Sequence, residues 1–360
     1  MHENKLKVAI IGCGNIFNGA HIYAYLDNSD VEVVALCDTV LKKAEKTAER
    51  LGVDKSCCYE NYEDVLNIKG LDAVDICTPN YLHSIIAVAA LNKGINVFCE
   101  KPDAVSVIEA EKMKNAAENS GKILMIMRNN RYNNYSKWLK QYVKDGKMGE
   151  IYTARCGWRR RRGIPGKGGW FTTKAMSGGG PLIDLGVHMI DLAIWLMGNP
   201  KPVSVSGCTY CKFADNNAES DSVHANFGEK KSDGVFDVED LAMGFIRFNN
   251  GACMQIEFSW ASNIEREKNF VELRGTKAGA STDTTDDKFK VFTEENGSIV
   301  DLVPTLKNDA HGTHMQNILH FIDVVKNGTE PDFVPQQGVE IVKILEAMYK
   351  SAELGKEIQL

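Results

Sequence analysis

Lys7-Val8-Ala9-Ile10-Ile11-Gly12-Cys13-Gly14-Asn15-Ile16-Phe17 joins a short apolar run to two glycines and then to the start of a helical pattern. A run this short, bounded by glycine, reads as a buried strand. The glycine pair lets the chain turn tightly and brings the backbone against a pyrophosphate at a helix N-terminus, where free N–H groups and the positive dipole end stabilise its charge. Asn15 and Ile16 open that helix, expected to run to about residue 26. Asp38 stands 24 residues beyond Gly14, at the end of the next apolar run, where a carboxylate accepts hydrogen bonds from ribose hydroxyls. The spacing therefore predicts a dinucleotide site. Asp38 repels a 2′-phosphate and favours NAD, while Lys42 and Lys43 one turn on leave NADP open. Phe17 occupies the place of a third glycine, so the helix is expected to pack farther from the strand or at another angle.

Working outward, strand and helix patterns alternate over residues 7–128. Strands are expected at 31–36, 73–77, 96–99 and 123–127, with a helix at 41–51, which implies a parallel sheet with right-handed crossovers. Thr78-Pro79-Asn80 falls at the carboxyl edge of that sheet, where ligands of open α/β sheets bind. Asn80 and His83 are within reach of a ribose or nicotinamide, or else Asn80 caps the next helix and His83 is structural. Glu100-Lys101-Pro102 falls at the same edge. A lysine held there by a stiff X-Pro bond and an adjacent carboxylate directs its ammonium into a cleft, and Ser106 with Glu109 forms a capping box for the helix that follows.

Beyond residue 129 the pattern changes. A helix at 135–145 and strands at 150–158, 203–210, 241–248, 252–261 and 268–275 suggest a mainly antiparallel sheet, closed by helices at 315–326 and 338–354. Residues 212–236 read as an exposed insertion. Within this half, Gly178-Gly179-Gly180-Pro181-Leu182-Ile183-Asp184-Leu185-Gly186-Val187-His188-Met189-Ile190-Asp191 opens an almost wholly apolar helix expected at 181–197. At 3.6 residues per turn His188 lies about 40° and Asp191 about 20° from Asp184, so all three are expected on one stripe. Titratable groups on a buried helix need partners or a purpose. Trp158 and Trp170 flank the run Arg159-Arg160-Arg161-Arg162 and either stack on a sugar ring or belong to a core. The arginines either hold an anionic substrate group or pair with carboxylates.

A length of 360 residues predicts two domains, divided at 1–128 and 129–360. A net charge of -6 argues against nucleic acid or an anionic membrane surface as partner. The apolar runs fall short of the roughly 18 residues of a membrane span, and the N-terminus leads straight into a strand, so a cytoplasmic location is expected. Cys13, Cys37, Cys77 and Cys99 lie in strand-like runs as free thiols. Cys208-Thr209-Tyr210-Cys211 and His311-Gly312-Thr313-His314 are weak metal signals, and no metal is expected.

Gly12-x-Gly14, Asp38, Thr78-Pro79-Asn80, Glu100-Lys101-Pro102, Arg131-Tyr132 and Asp184-x-x-x-His188 together resemble, over essentially the whole chain, the glucose-fructose oxidoreductase, inositol dehydrogenase and MocA-like oxidoreductase family. The resemblance implies a Rossmann domain joined to an α/β domain with an open, mainly antiparallel sheet. It further implies a tightly held nicotinamide cofactor, a sugar, cyclitol or glycoside substrate, and a homodimer or homotetramer built on the open sheet face. His188 is then the candidate general base, Asp184 its orienting partner, and Lys101 the donor to the reacting oxygen. Arg131, Tyr132, Trp158 and Trp170 become candidate substrate contacts. The loop from Arg159 to Trp170 resembles that of members acting on glucosides, including relatives that oxidise a glycoside at C3. Two other activities fit the same motifs: a NAD-dependent glycosidase working by transient oxidation and elimination, and a non-catalytic sugar or cofactor sensor.

Overall fold

The computed structural model describes residues 5–214, 219–225, 227–228, 230–286, 288–307 and 311–360. They form two compact units, Met1–Asn129 with Ala310–Val339, and Asn130–Asp309 with Glu340–Leu360. The expected division placed everything after residue 129 in the second unit. Residues 311–339 instead pack into the first. The helix Thr313–Asn327 buries Phe321 against Phe98 at 5.3 Å, and Oδ1 of Asn317 accepts the Arg128 N–H at 2.6 Å.

In the first unit, β1 (Leu6–Ile11), β2 (Val31–Cys37), β3 (Cys58–Tyr59), β4 (Ala73–Ile76), β5 (Asn96–Cys99) and β6 (Leu124–Ile126) lie in the order β3-β2-β1-β4-β5-β6, all parallel. Covered on both faces, such strands are mainly apolar rather than alternating. The order reverses between β1 and β4, and a crevice outside the carboxyl ends opens at such a switch point. Gly12, Asp38, Thr78 and Glu100 directly follow or lie just beyond β1, β2, β4 and β5.

The single helix expected over residues 15–26 is two pieces, an α turn at Asn15–Gly19 and a 3₁₀ turn at His21–Ala24. Phe17 is the physical reason. Its ring is fully buried and stacks on Tyr25 at 5.9 Å, which takes up the space a glycine would leave between helix and strand.

The second unit holds a sheet of nine strands. These are β7 (Ile151–Arg159), β8 (Pro202–Tyr210), β9 (Leu241–Phe248), β10 (Cys253–Ser259), β11 (Lys268–Gly275), β12 (Ala278–Asp283), β13 (Lys288–Glu295), β14 (Ser298–Leu302) and β15 (Ile358–Gln359), in the order β14-β13-β12-β11-β7-β10-β9-β8-β15. Only β7 with β10 is parallel. The sequence reading stopped at β11. The last strands are rich in Thr, Lys, Glu and Asp, and one-sided burial leaves no apolar run to find.

The helical stretch Lys174–Leu196 is long and apolar enough by composition to cross a bilayer, contrary to the count of uninterrupted apolar residues, yet most of it is buried inside the fold. It packs on β7, β10 and β11 through Leu182, Leu185, Ile190 and Leu192. Its first turns are not regular. Leu182–Gly186 is a π turn, followed by an α-helix over Val187–Leu196.

Candidate active site

Two groups of side chains carry the chemistry, one in each unit. In the first, Gly12 has φ +101°, and a Cβ there would stand 2.5 Å from the Cys77 carbonyl oxygen. Only glycine fits, which locks the turn after β1 against the loop after β4. A Cβ on Gly14 would meet nothing within 4 Å. Asn15 and Ile16 are exposed beside it, so the first-turn N–H groups face open space. Asp38 accepts the Cys13 N–H at 3.1 Å through Oδ2 and the Val40 N–H at 2.9 Å through Oδ1. Each oxygen keeps a lone pair for a ribose hydroxyl. The Thr78 hydroxyl is buried and meets no hydrogen-bond partner among the described residues. An orphaned donor beside two glycines and an acidic residue fits a dinucleotide, for which Gly12, Gly14, Asp38 and the Thr78-Pro79-Asn80 loop are the candidate contacts.

Two sequence expectations change here. His83, offered as a cofactor contact, is fully buried, with Nδ1 2.7 Å from the Pro102 carbonyl and Nε2 2.9 Å from that of Thr78. It braces two loops and presents no free edge to a ligand. Asn80 does not cap the helix His83–Asn92, whose N-cap position is Leu82. At β5, Glu100 accepts the Lys101 N–H at 3.0 Å through Oε2, and the Lys101–Pro102 peptide is cis.

In the second unit, Asp184 is buried and accepts the indole N–H of Trp260 at 3.0 Å. The His188 ring lies 6.2 Å from that of Trp158. The Arg160 guanidinium sits 5.1 Å over Trp158 and 5.7 Å over Phe227. Burial pushes Arg160 below the usual guanidinium range, and the Asp184 and Glu267 carboxylates oppose that shift. Trp170 stacks on Phe171 at 3.8 Å, and Phe171 meets Phe227 edge-on at 5.5 Å. Imidazole, carboxylate, guanidinium and rings thus form a connected wall. It has the chemistry to remove a hydroxyl proton and cover a sugar face.

The expected single stripe of three groups divides. Asp191 receives both Nε and Nη2 of Arg131 at 2.9 and 2.6 Å, and both side chains are buried. The partners differ: the buried Arg131 guanidinium takes up Asp191, whereas the Trp260 indole N–H meets Asp184 in the π turn. Arg131, expected to contact substrate, is committed to that buried pair. Tyr132 is half-buried with Lys137 5.7 Å over its ring. Two of the four arginines of the run form ion pairs with carboxylates: Arg159 with Glu257 at 3.5 Å and Arg162 with Asp221 at 3.7 Å.

Four residues escaped the sequence reading. Trp260 and Glu239 carry no local signature. Asp75 and His21 had one, for a carboxylate inside the continuous apolar run of β4 demands a buried partner. His21, Asp75 and Cys77 form the one cluster of metal-ligand type among the described residues. Its imidazole nitrogens already face carboxylates, and burial pushes the Cys77 thiol well above its usual range.

Residues 6–127 match the family model described as oxidoreductase family, NAD-binding Rossmann fold, and residues 140–360 match the C-terminal alpha/beta domain of the same oxidoreductase family. The chain is 33% identical to D-glucoside 3-dehydrogenase of Escherichia coli (strain K12), covering 100% of this chain and 99% of that one. It is 25% identical to scyllo-inositol 2-dehydrogenase (NAD(+)) of Bacillus subtilis (strain 168), over 91% of this chain and 89% of the other. Among solved structures, levoglucosan dehydrogenase in complex with NADH shares the fold with a TM-score of 0.84 at 22% identity, over 99% of both chains.

Proposed function

The chain belongs to the glucose-fructose oxidoreductase, inositol dehydrogenase and MocA-like (Gfo/Idh/MocA) family, and on that premise we propose that it is a NAD-dependent dehydrogenase oxidising a secondary alcohol of a sugar, cyclitol or glycoside. NAD, when bound, supplies the hydride acceptor. Gly12, Gly14, Asn15 and Ile16 hold the pyrophosphate, Asp38 the ribose, and Thr78 to Asn80 the segment between them. His188 takes the hydroxyl proton as general base, the role that an imidazole nitrogen with a lone pair can fill. Asp184 orients the ring and accepts from a neighbouring hydroxyl. Lys101 donates to the reacting oxygen and steadies its alkoxide character. Trp158 covers one face of the sugar.

The observations that carry this reading are that Trp260 fixes Asp184, that His188 lies beside Trp158, and that the Arg160 guanidinium sits over Trp158 and interacts with the Asp184 charge. An immobilised carboxylate and an imidazole against an indole are suited to a polyol, which offers adjacent hydroxyls on an apolar ring face. The full-length relative acting on D-glucosides puts glucosides first among substrates. We also infer a cytoplasmic homodimer or homotetramer. In support, all ten cysteines are free, and Tyr152, Met243 and Phe292 are exposed large side chains on strands of the second sheet.

The test is a spectrophotometric screen of NAD reduction over glycosides, aldoses, sugar acids and cyclitols. A hit whose turnover falls by about 100-fold to 10,000-fold in His188→Ala and in Lys101→Ala supports the assignment. Near-wild-type turnover in both variants defeats it. Aglycone release without net NADH would identify a glycosidase instead.

A further inference from the structure

His21 is fully buried, and both of its ring nitrogens face carboxylates. Nδ1 lies 2.9 Å from Oδ2 and 3.1 Å from Oδ1 of Asp75, and Nε2 lies 2.8 Å from Oε1 of Glu100. An ionised carboxylate only accepts, so an imidazole placed between two of them carries a proton on each nitrogen. Both carboxylates also accept from donors other than the imidazole. Tyr25 donates its hydroxyl to Asp75 at 2.9 Å, the Cys77 thiol donates to the same carboxylate at 3.6 Å, and the Lys101 N–H donates to Glu100 at 3.0 Å. The remaining groups facing the imidazole are the Cys77 sulfur at 3.3 Å from Nδ1 and the rings of Phe98, Phe17 and His314 at 6.0, 6.3 and 6.3 Å. Burial opposes a charge on His21, but Asp75 and Glu100 outweigh it and push the imidazole up to about 10. Glu100 is held well below the carboxylate range against its own burial, chiefly by His21.

A buried cation between two buried anions is a costly arrangement unless its geometry is needed. Here one end of it reaches the backbone of Lys101. We propose that His21 is a positioning residue for Lys101: its Nε2–H anchors one oxygen of Glu100, and the other oxygen of Glu100 holds the Lys101 main-chain N–H. The lysine backbone is thereby fixed from the interior by two hydrogen bonds in series, independently of the glycines and Asp38 that hold the cofactor. Without the cation, Asp75 and Glu100 are left as two buried carboxylates with no charge between them, and Glu100 turns away or takes up a proton. Turning away releases the Lys101 N–H, and protonation weakens the hold by removing the charge from the accepting group. This inference rests on Lys101 being the donor to the reacting oxygen, as proposed above.

The test is a double-mutant cycle in the full-length protein, with turnover on a substrate found by the screen and NADH affinity measured by nicotinamide fluorescence. His21→Gln is expected to lower kcat by ~10-fold to 100-fold, the range for a sub-ångström to ångström misplacement of a reacting group, with NADH affinity and KM held within about threefold. In the Lys101→Ala background the same change is expected to add less than about threefold, because its effect passes through the missing ammonium. Unchanged kcat in His21→Gln, or losses that add in full, overturns the proposal. Near-wild-type turnover in Lys101→Ala alone overturns the reading beneath it, whatever His21 does. Glu100→Gln, put through the same cycle, serves where His21→Gln does not fold. In the unmutated protein, 15N spectra of labelled histidine are expected to show one ring with both nitrogens protonated from about pH 6 to pH 9, and a neutral His21 in that range overturns the doubly donating geometry.

Discussion

The indole N–H of Trp260 donates to Oδ2 of Asp184 across 3.0 Å, with both side chains buried. Trp260 follows β10, and Asp184 lies in the π turn Leu182–Gly186. The contact ties the irregular part of the helix to the sheet. Trp260→Phe keeps a ring but removes the donor, which leaves a buried carboxylate oxygen short of a partner at a cost of roughly 1–3 kcal/mol. Asp184 then loses one of the contacts that orient it. The expected result is a lowered urea midpoint together with about a tenfold fall in kcat/KM and unchanged NADH affinity. Activity that survives intact would show that Trp260 serves packing alone.

Glu239 caps the same helix from below. Its oxygens accept the Gly180 N–H at 2.9 Å, the Leu182 N–H at 3.1 Å and the Tyr349 hydroxyl at 2.9 Å. Burial nevertheless pushes its carboxyl above the ordinary 4.5, against the pull of those donors. With the folded value raised, the folded state binds the proton more tightly than the unfolded state. The associated stability is present in full below pH 4.5 and is lost as pH rises through the raised value. Thermal unfolding followed across that window is expected to show a falling contribution that Glu239→Gln abolishes. Parallel profiles for the two proteins would refute the assignment.

The legible parts of the sequence were those in which one local pattern has one physical outcome. Gly12 is such a case, since its positive φ and the close approach of Cys77 admit no side chain. Continuous apolar runs marked β1, β4 and β5 for the same reason. The π turn was not legible, because Leu182 to Gly186 carries no local pattern that distinguishes it from an α-helix interrupted by one glycine. Nor was the fate of Arg131, whose partner Asp191 lies 60 residues away. The Phe17 substitution was read as a change of helix packing, and the break after Gly19 is its local form.

The Arg131 and Asp191 pair offers a stability test separate from catalysis. Both side chains are buried, and the guanidinium also sits 5.7 Å over Trp195. Removing one partner strands the other charge, so Arg131→Met is expected to cost ~3–5 kcal/mol by urea unfolding. Pairing it with Asp191→Leu is expected to recover most of that loss, because two well-packed apolar chains replace the ion pair without leaving a charge. Failure of the double variant to recover would mean that Arg131 also makes a contact no apolar residue replaces, and would restore it as a substrate residue.

Cofactor choice turns on Asp38. Its carboxylate is oriented by the Cys13 and Val40 N–H groups at 3.1 and 2.9 Å, which leaves outward lone pairs for ribose hydroxyls and a negative charge where a 2′-phosphate would sit. Asp38→Ser keeps a short acceptor for the Cys13 N–H but removes the charge. Hydrogen bonds to a charged group contribute about 1.5–3 kcal/mol, so NADH affinity is expected to weaken by ~10-fold to 100-fold. NADPH affinity is expected to improve over the same change, because the repulsion disappears while Lys42 and Lys43 on the following helix remain. Fluorescence titration with both nucleotides measures the ratio directly. An unchanged preference for NADH in Asp38→Ser would mean that the selection does not lie in this carboxylate.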